Sequence, residues 1–254
     1  MKRTTRLLLA ASLLPSWVLA WNMPGEDFSG ALNLGGSVTN ARNPWVWKVG
    51  EGNTQINTTT LTVPRSSDRG IPIRLPIMTV LLGKTTLTTP AGREGLAPQV
   101  TFGMGTDGFS LTWMAPGEAL VTLPVSGEGK ARTGTFTFRM QTVGVLRHVQ
   151  DNRAEYVGLY DDLLGNALPS QAQMIPAEQI PSVLQTMFGN EGPAWLRAMA
   201  VNSVSGLSRF GDASLRQVDG VYGAQTVANS GALHLMGPLP SRWHTSLAVS
   251  IEYR

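Results

Sequence analysis

The C-terminal segment alternates between large apolar and small or polar side chains, which is the pattern of a β-strand with one buried face. The apolar positions are Leu247, Val249, Ile251 and Tyr253, and the positions between them are Ala248, Ser250 and Glu252. Chain ends usually fray, so an end strand this apolar must be packed or paired. The pattern therefore predicts a C-terminal strand that contributes one face to a hydrophobic interior.

A segment near the N-terminus repeats this alternation. Its apolar or small face consists of Phe28, Gly30, Leu32 and Leu34, and its other face consists of Asp27, Ser29, Ala31 and Asn33. A shift of one residue would turn the apolar face to water, so the register of this strand is specified. Either end taken by itself is compatible with an ordinary strand of a β-sandwich.

Strand patterns also dominate the chain between these two ends, and clusters of turn residues separate them. They cover residues 45–49, 59–63, 77–82, 99–102, 109–113, 119–125 and 134–145, and they return from Gln217. The run from Ile77 to Leu82 is apolar throughout, which indicates a strand that is buried on both faces. Short strands at regular spacing predict an all-β sandwich or barrel.

Residues of about 165–210 depart from the strand pattern and predict a small helical insertion in the β-domain. One helix is expected over Ser182–Phe188, ending at Gly189, and a second over Pro193–Val201, beginning with proline. In the second segment, Leu196, Met199 and Ala200 would share one helical face and form a buried stripe.

The first 20 residues have the composition of a secretory signal peptide. Lys2, Arg3 and Arg6 are basic, an apolar run of residues 7–14 follows, and Ala20 ends a small-residue cleavage pattern. The apolar run is shorter than the ~20 residues that a membrane-spanning helix needs. We therefore expect export of a chain that begins near Trp21.

Composition agrees with this picture and excludes several classes of function. Charged residues make up 15% of the chain, and 28 glycines and 16 prolines suit many strands joined by turns. The formal charge is +3 with no basic run beyond the first six residues, so nucleic acid binding is not predicted. The absence of cysteine excludes disulfides and thiol chemistry, and an exported domain then needs another source of stability.

Motifs for catalysis or for cofactor binding are not supported by their surroundings. The pattern G-x-G-x-x-G at Gly103–Gly108 precedes a strand pattern, whereas dinucleotide binding needs a helix there, so we interpret it as a hairpin turn. Asp161 and Asp162 are adjacent and predict a solvated turn rather than a catalytic pair. The three histidines are isolated from other metal-ligating residues. The sequence predicts no enzyme activity, no cofactor and no metal.

The two patterned ends, together with export, resemble the kappa-class chaperone–usher fimbrial subunits, the group that includes the major adhesive subunit of porcine enterotoxigenic fimbriae. The matching stretches are residues 27–39, 45–50, 98–102 and 247–253. Both ends match specifically, whereas the middle of the chain matches less well. Arg254 departs from the pair of aromatic residues with which members of this family tend to end.

The resemblance implies an incomplete immunoglobulin-like β-sandwich that lacks its last strand and is completed by donor-strand exchange. Residues 21–36 would be the donor extension, with Phe28, Gly30, Leu32 and Leu34 as donor side chains, and residues 37–254 the pilin domain. Leu247, Val249, Ile251 and Tyr253 would border the acceptor groove. The implied partners are a periplasmic chaperone, an outer-membrane usher and neighbouring subunits, and the implied location is an extracellular fimbria.

Three functions remain open at this point. The first is a minor structural subunit of the fimbria, which we favour. The second is an adhesive subunit that binds a host glycan through the insertion, with Trp195, Arg197 and Tyr222 as candidate sugar contacts. The third is an outer-membrane β-barrel, which an aromatic content of only 7% and scattered prolines disfavour.

Overall fold

Strands are the main secondary structure of the described residues, as the alternation of apolar and polar positions predicts. The structure, a computed structural model, describes residues 43–51, 70–127, 132–237 and 242–254. Its strands belong to open, mainly antiparallel sheets, and α1 (Ile180–Phe188) is the one α-helix within these residues. The prediction of an all-β sandwich with a small helical element is confirmed.

The described strands fall into a large sheet and a small one. The small sheet contains β5 (Pro98–Phe102) and β13 (Val249–Tyr253), which are antiparallel. The strands of the large sheet are β1 (Trp45–Val49), β2 (Ile71–Ile73), β3 (Thr79–Thr85), β4 (Thr89–Ala91), β6 (Ser110–Ala115), β7 (Glu118–Ser126), β8 (Arg132–Gln150), β9 (Arg153–Tyr160), β10 (Ser203–Gly206), β11 (Arg216–Thr226) and β12 (Gly231–Leu235).

Strand β8 organises the large sheet because its 19 residues have different neighbours along their length. Its first half pairs with β7 on one side and with β12 on the other. Its second half pairs with β9 and β11, and β11 in turn pairs with β3, which pairs with β1. Two regions of sheet are thus joined through one long strand.

Apolar residues cover both faces of the second half of β8, and they form two separate hydrophobic clusters. The main cluster lies on the face towards the small sheet and includes Leu81, Met140 and Leu146 together with Val100 and Phe102 of β5. The outer cluster lies on the opposite face, between the large sheet and the insertion. It contains Leu82, Val143, Val145, Ile175, Ile180, Leu184, Met187, Phe188, Leu196, Met199, Val201 and Val221.

The first predicted helix of the insertion forms, and the second does not. Helix α1 extends two residues beyond the N-terminal limit that we predicted and ends before Gly189, as expected. The segment predicted as helix over residues 193–201 contains only a 3₁₀ turn, Ala194–Arg197. The side chain of Gln185 donates a hydrogen bond to the Leu196 carbonyl at 3.0 Å, and this carbonyl is one that a continuing helix would use. Leu196 and Met199 are buried, as predicted, but Ala200 is exposed.

The glycine-rich segment Gly103–Gly108 precedes a strand, as predicted, but it does not close a hairpin. Strand β5 pairs with β13 and β6 pairs with β7, so the segment carries the chain from one sheet to the other. On the edge of β5 that faces away from β13, the side chain of Asn166 forms two hydrogen bonds with Phe102. Asn166 Oδ1 accepts from the Phe102 amide at 2.8 Å, and Asn166 Nδ2 donates to the Phe102 carbonyl at 3.0 Å. A hairpin partner would need these same groups.

Candidate subunit-assembly site

The C-terminal strand β13 is paired along one edge only. Its register with β5 joins Val249 to Phe102 at one end and Tyr253 to Pro98 at the other. Arg254 extends this pairing, because its amide and carbonyl bond the Ala97 carbonyl and amide at 3.0 and 3.1 Å. Within the described residues, no strand pairs with the opposite edge of β13. We call this the free edge.

The register shows which backbone groups point to the free edge. Arg254 exchanges two hydrogen bonds with Ala97, and the Gly103 amide donates to the Ala248 carbonyl at 2.8 Å. In an antiparallel ladder every second residue bonds to the same neighbour. The amides and carbonyls of Val249, Ile251 and Tyr253 therefore point away from β5, where they can bond to an added strand.

The side chains of β13 are incompletely covered on the face that packs against the main cluster. Leu247, Val249, Ile251 and Tyr253 contact this cluster but are only partly buried. On the neighbouring strand, Val100 is 3% exposed and Phe102 is 1% exposed. The alternation correctly predicted the face that each residue takes, and these partly buried side chains lie on a strand whose second edge is unpaired within the described residues.

Trp47 connects the C-terminal strand to the large sheet. Its Nε1 donates a hydrogen bond to the Tyr253 hydroxyl at 2.8 Å, and its ring stacks on Trp45 with 5.2 Å between ring centroids. The ring lies over Gly83 of β3, where any Cβ would collide with it. The aromatic pattern of residues 45–49 predicts a strand but does not mark Trp47 as part of the site. Two tryptophans at alternate positions of a short strand were the available signal.

The predicted signal peptide, residues 1–20, and the proposed donor segment, residues 21–36, lie outside the described residues. The donor side chains Phe28, Gly30, Leu32 and Leu34 belong to the second of these segments. Their roles remain predictions from the sequence. The acceptor side, represented by Val249, Ile251 and Tyr253, is the part of the predicted site whose surroundings are known.

The candidate sugar contacts do not come together. Tyr222 is 3% exposed, belongs to the main cluster and donates a hydrogen bond from its hydroxyl to the Ala167 carbonyl at 3.0 Å. Burial raises its pKa well above the usual value. Its prediction as a sugar contact is therefore wrong, because the side chain packs into the core. Trp195 instead packs against the outer cluster and Tyr156, and Arg197 is exposed.

Asp161 and Asp162, which we predicted to form a solvated turn, have different surroundings. Asp161 is half-buried, and burial raises the pKa of its carboxyl although the Leu163 amide donates to it at 2.9 Å. Asp162 is exposed and accepts hydrogen bonds from the amide and hydroxyl of Ser208. Asp161 therefore shapes the turn before the insertion, whereas Asp162 connects that turn to Ser208 near the end of the insertion. The term solvated turn fits only Asp162, which is exposed.

Within residues 43–51, 70–127, 132–237 and 242–254, no three histidine or carboxylate side chains lie close enough together to hold a metal ion. None of the helices in those ranges is long and apolar enough to cross a membrane.

Comparison with known proteins gives two matches over the full chain. The K88 fimbrial family model, described as major and minor fimbrial subunits, matches residues 1–254. The K88 minor fimbrial subunit FaeI of Escherichia coli is 60% identical over 254 residues, which is 100% of each chain. These matches confirm the resemblance that the sequence motifs indicate.

Proposed function

The chain belongs to the K88 family of major and minor fimbrial subunits, and from this premise we propose that it is a minor structural subunit of a chaperone–usher adhesive fimbria. We infer that it polymerises by donor-strand exchange. The observation that carries this proposal is the free edge of β13, with backbone groups directed outwards beside an apolar face that is half-covered. Such an edge is a template for an added strand.

The proposed assembly has two steps. In the periplasm, a strand of the fimbrial chaperone pairs with the free edge and covers Val249, Ile251 and Tyr253. At the outer-membrane usher, the N-terminal segment of a neighbouring subunit replaces it, with Phe28, Gly30, Leu32 and Leu34 as donor side chains. Export is directed by residues 1–20, and the product is an extracellular fimbria on the bacterial surface.

Strand addition would bury apolar side chains whose contribution is large compared with the stability of a domain. Burial of one Phe or Leu side chain contributes ~1.5–3 kcal/mol, so Phe28, Leu32 and Leu34 together contribute about 5–9 kcal/mol. This is comparable to the whole stability of a typical domain, which is about 5–15 kcal/mol. Strand addition would therefore supply the stability that a chain without cysteine cannot obtain from disulfides.

A structural role is favoured over glycan adhesion through the insertion. Tyr222 is buried in the main cluster, and half-buried Trp195 packs against Tyr156. These two aromatic residues lie in different clusters, so they cannot contact the same sugar. The relative of 60% identity is itself described as a minor subunit.

The experiment uses the chain without residues 1–36, purified with no chaperone or other helper. We expect it to aggregate or to unfold without a cooperative transition. A synthetic peptide of residues 21–36 should restore a cooperative thermal transition, measured by circular dichroism. The matched control peptide carries Leu32→Asp and should not restore it, because it places a charge against the apolar face.

Two outcomes would contradict the proposal. One is a truncated chain that stays monomeric and melts cooperatively without any peptide. The other concerns cells: the full chain with Leu32→Asp should be secreted but absent from fibres, and normal incorporation of that variant would show that residues 21–36 are not the donor.

A further inference from the structure

The small sheet of β5 and β13 has two outer edges, and the free edge of β13 is one of them. The other is the edge of β5 that faces away from β13, which we call the outer edge of β5. Ala97 and Gly103 both form backbone hydrogen bonds with the C-terminal segment. Alternation therefore directs the backbone groups of Pro98, Val100 and Phe102 to the outer edge. An added strand could pair along this edge as well unless its groups are already used.

The turn of residues 161–168 covers the outer edge of β5. The side chain of Asn166 accepts from the Phe102 amide at 2.8 Å and donates to the Phe102 carbonyl at 3.0 Å. The Asn166 backbone amide donates to the Val100 carbonyl at 3.4 Å. Pro98 has no N–H group and offers no donor to a neighbouring strand. Both groups of Phe102 and the Val100 carbonyl are therefore already bonded, and the donor at Pro98 is missing.

The turn can lie this close to β5 because residue 165 is glycine. A Cβ at this position would lie 2.8 Å from the Val100 carbonyl oxygen, so any larger residue would displace the turn. On its other side the turn is anchored to β11, where the buried Tyr222 hydroxyl donates to the Ala167 carbonyl at 3.0 Å. Asn166 is thus held in place from both sides.

The two edges of the small sheet therefore differ in what they offer to another chain. Val100 and Phe102 on β5 are 3% and 1% exposed, whereas Ile251 and Tyr253 on β13 are partly exposed. We propose that Asn166 is a specificity-determining residue for strand addition: it closes the outer edge of β5 and so directs an added strand to β13. This inference rests on the proposed function, because the added strand is the donor segment.

The test uses the full chain with Leu32→Asp, which prevents chains from joining, in complex with the unchanged peptide of residues 21–36. Amide hydrogen exchange is followed by NMR at Phe102 on β5 and at Ile251 on β13. Both amides should exchange slowly in the complex, because Asn166 accepts from the first and the peptide accepts from the second. Native mass spectrometry with excess peptide should show one peptide per chain.

Asn166→Ala should open the outer edge of β5. The Phe102 amide should then exchange about tenfold faster or more, because its acceptor is lost, whereas the Ile251 amide should stay slow. A second peptide should bind to each chain when peptide is in excess. Gly165→Ala is a second variant, which retains Asn166 but displaces the turn, and it should have the same two effects.

Asn190→Ala is the matched control. Its side chain accepts a hydrogen bond from Arg197 within the insertion, and its loss should change neither the exchange of the Phe102 amide nor the number of bound peptides. Unchanged exchange of this amide in both test variants, or a single bound peptide in both, would overturn the proposal. Faster exchange spread equally over β5, β8 and β11 would also overturn it, because Asn166 would then only stabilise the fold.

Failure of the proposed function would look different from failure of this inference. If the peptide does not bind to the chain that carries Leu32→Asp alone, donor-strand exchange is contradicted. The exchange of the Phe102 amide in that chain, with and without Asn166→Ala, then decides whether Asn166 closes the outer edge of β5.

Discussion

The two faces of the large sheet are closed to different extents. On the outer face, Val145 of β8 and Ile180 and Leu184 of α1 are 0% exposed, so the insertion buries the centre of this cluster. On the other face, β5 buries its side chains in the main cluster, whereas the core-facing side chains of β13 remain partly exposed. One face is covered by the chain itself, and the other ends at a free edge.

This difference shows how the fold separates its own stability from assembly. Helix α1 approaches β11 closely because Gly223 has no side chain, and a Cβ there would collide with the Met187 side chain. The cover of the outer cluster is thus part of the same chain and is always present. The cover of β13, in our proposal, comes from another chain, so its contribution to stability depends on the partner.

The largest expected effect is that of Ile251→Asp, which tests the partly exposed face of β13. An uncompensated charge buried beneath an added strand costs about 3–5 kcal/mol, so binding of the 21–36 peptide should weaken by about two orders of magnitude or more. Titration of the peptide against the variant measures this. In cells we expect degradation of the Ile251→Asp variant, and also of Val249→Asp.

Ser250→Asp is the matched control for this experiment. Alternation places Ser250 on the face of β13 opposite to Ile251, beside the exposed Glu252. The control should accumulate and bind the peptide nearly as the unchanged chain does. Wild-type accumulation of Ile251→Asp would refute the groove assignment.

Leu184→Ala tests the outer cluster, which the insertion covers. Removal of a buried leucine side chain costs about 2–5 kcal/mol, so the chain without residues 1–36, complemented with the donor peptide, should melt at a lower temperature when it carries Leu184→Ala. Titration of the peptide should show affinity changed by less than about threefold. A large loss of peptide affinity would mean that the two clusters are coupled and that the contrast between them is false.

Tyr253→Phe tests the connection between the two sheets. The variant removes the acceptor of the Trp47 Nε1 hydrogen bond and should cost about 0.5–1.5 kcal/mol in urea unfolding. Trp47→Phe alone should cost more, because ring volume is also lost. In a double-mutant cycle the two effects should not add, and full additivity would show that the hydrogen bond contributes nothing.

Asp161→Asn should have the smallest effect, and it depends on pH. Burial raises the pKa of Asp161 in the folded state, so folding favours the protonated form. The associated stability is present below the unfolded pKa and is lost as pH rises through the folded pKa. Asn keeps an oxygen for the Leu163 amide and carries no charge, so the variant should be slightly more stable at neutral pH. Urea midpoints should converge in acid, and a gain that persists at low pH would contradict this cause.

Much of the local structure follows from the sequence. The strand over residues 45–49, the helix ending at Gly189 and the alternating faces of the C-terminal strand all form as predicted. Periodicity is a local property, because a strand or helix must place one face against a core. The family likewise follows from short motifs at the two ends.

Other predictions were wrong because they depended on distant contacts. Gln185 donates a hydrogen bond to the carbonyl of Leu196, a group that the helix favoured by the local pattern would have used. Asn166 occupies the edge of β5 where a hairpin partner was expected. The local sequence around Tyr222 did not predict that its side chain is buried, yet it packs in the main cluster.

The sequence by itself determined that this chain is a β-protein of the fimbrial subunit family with an apolar C-terminal strand. Patterns and motifs depend only on residues that are close together in the sequence. Only the tertiary structure decided that β13 pairs with β5, that no other described strand pairs with its opposite edge, and that Tyr222 lies in the main cluster. These facts depend on residues far apart in the chain, such as Pro98 and Tyr253. Their contact is fixed by packing of the whole sandwich, which no local pattern contains.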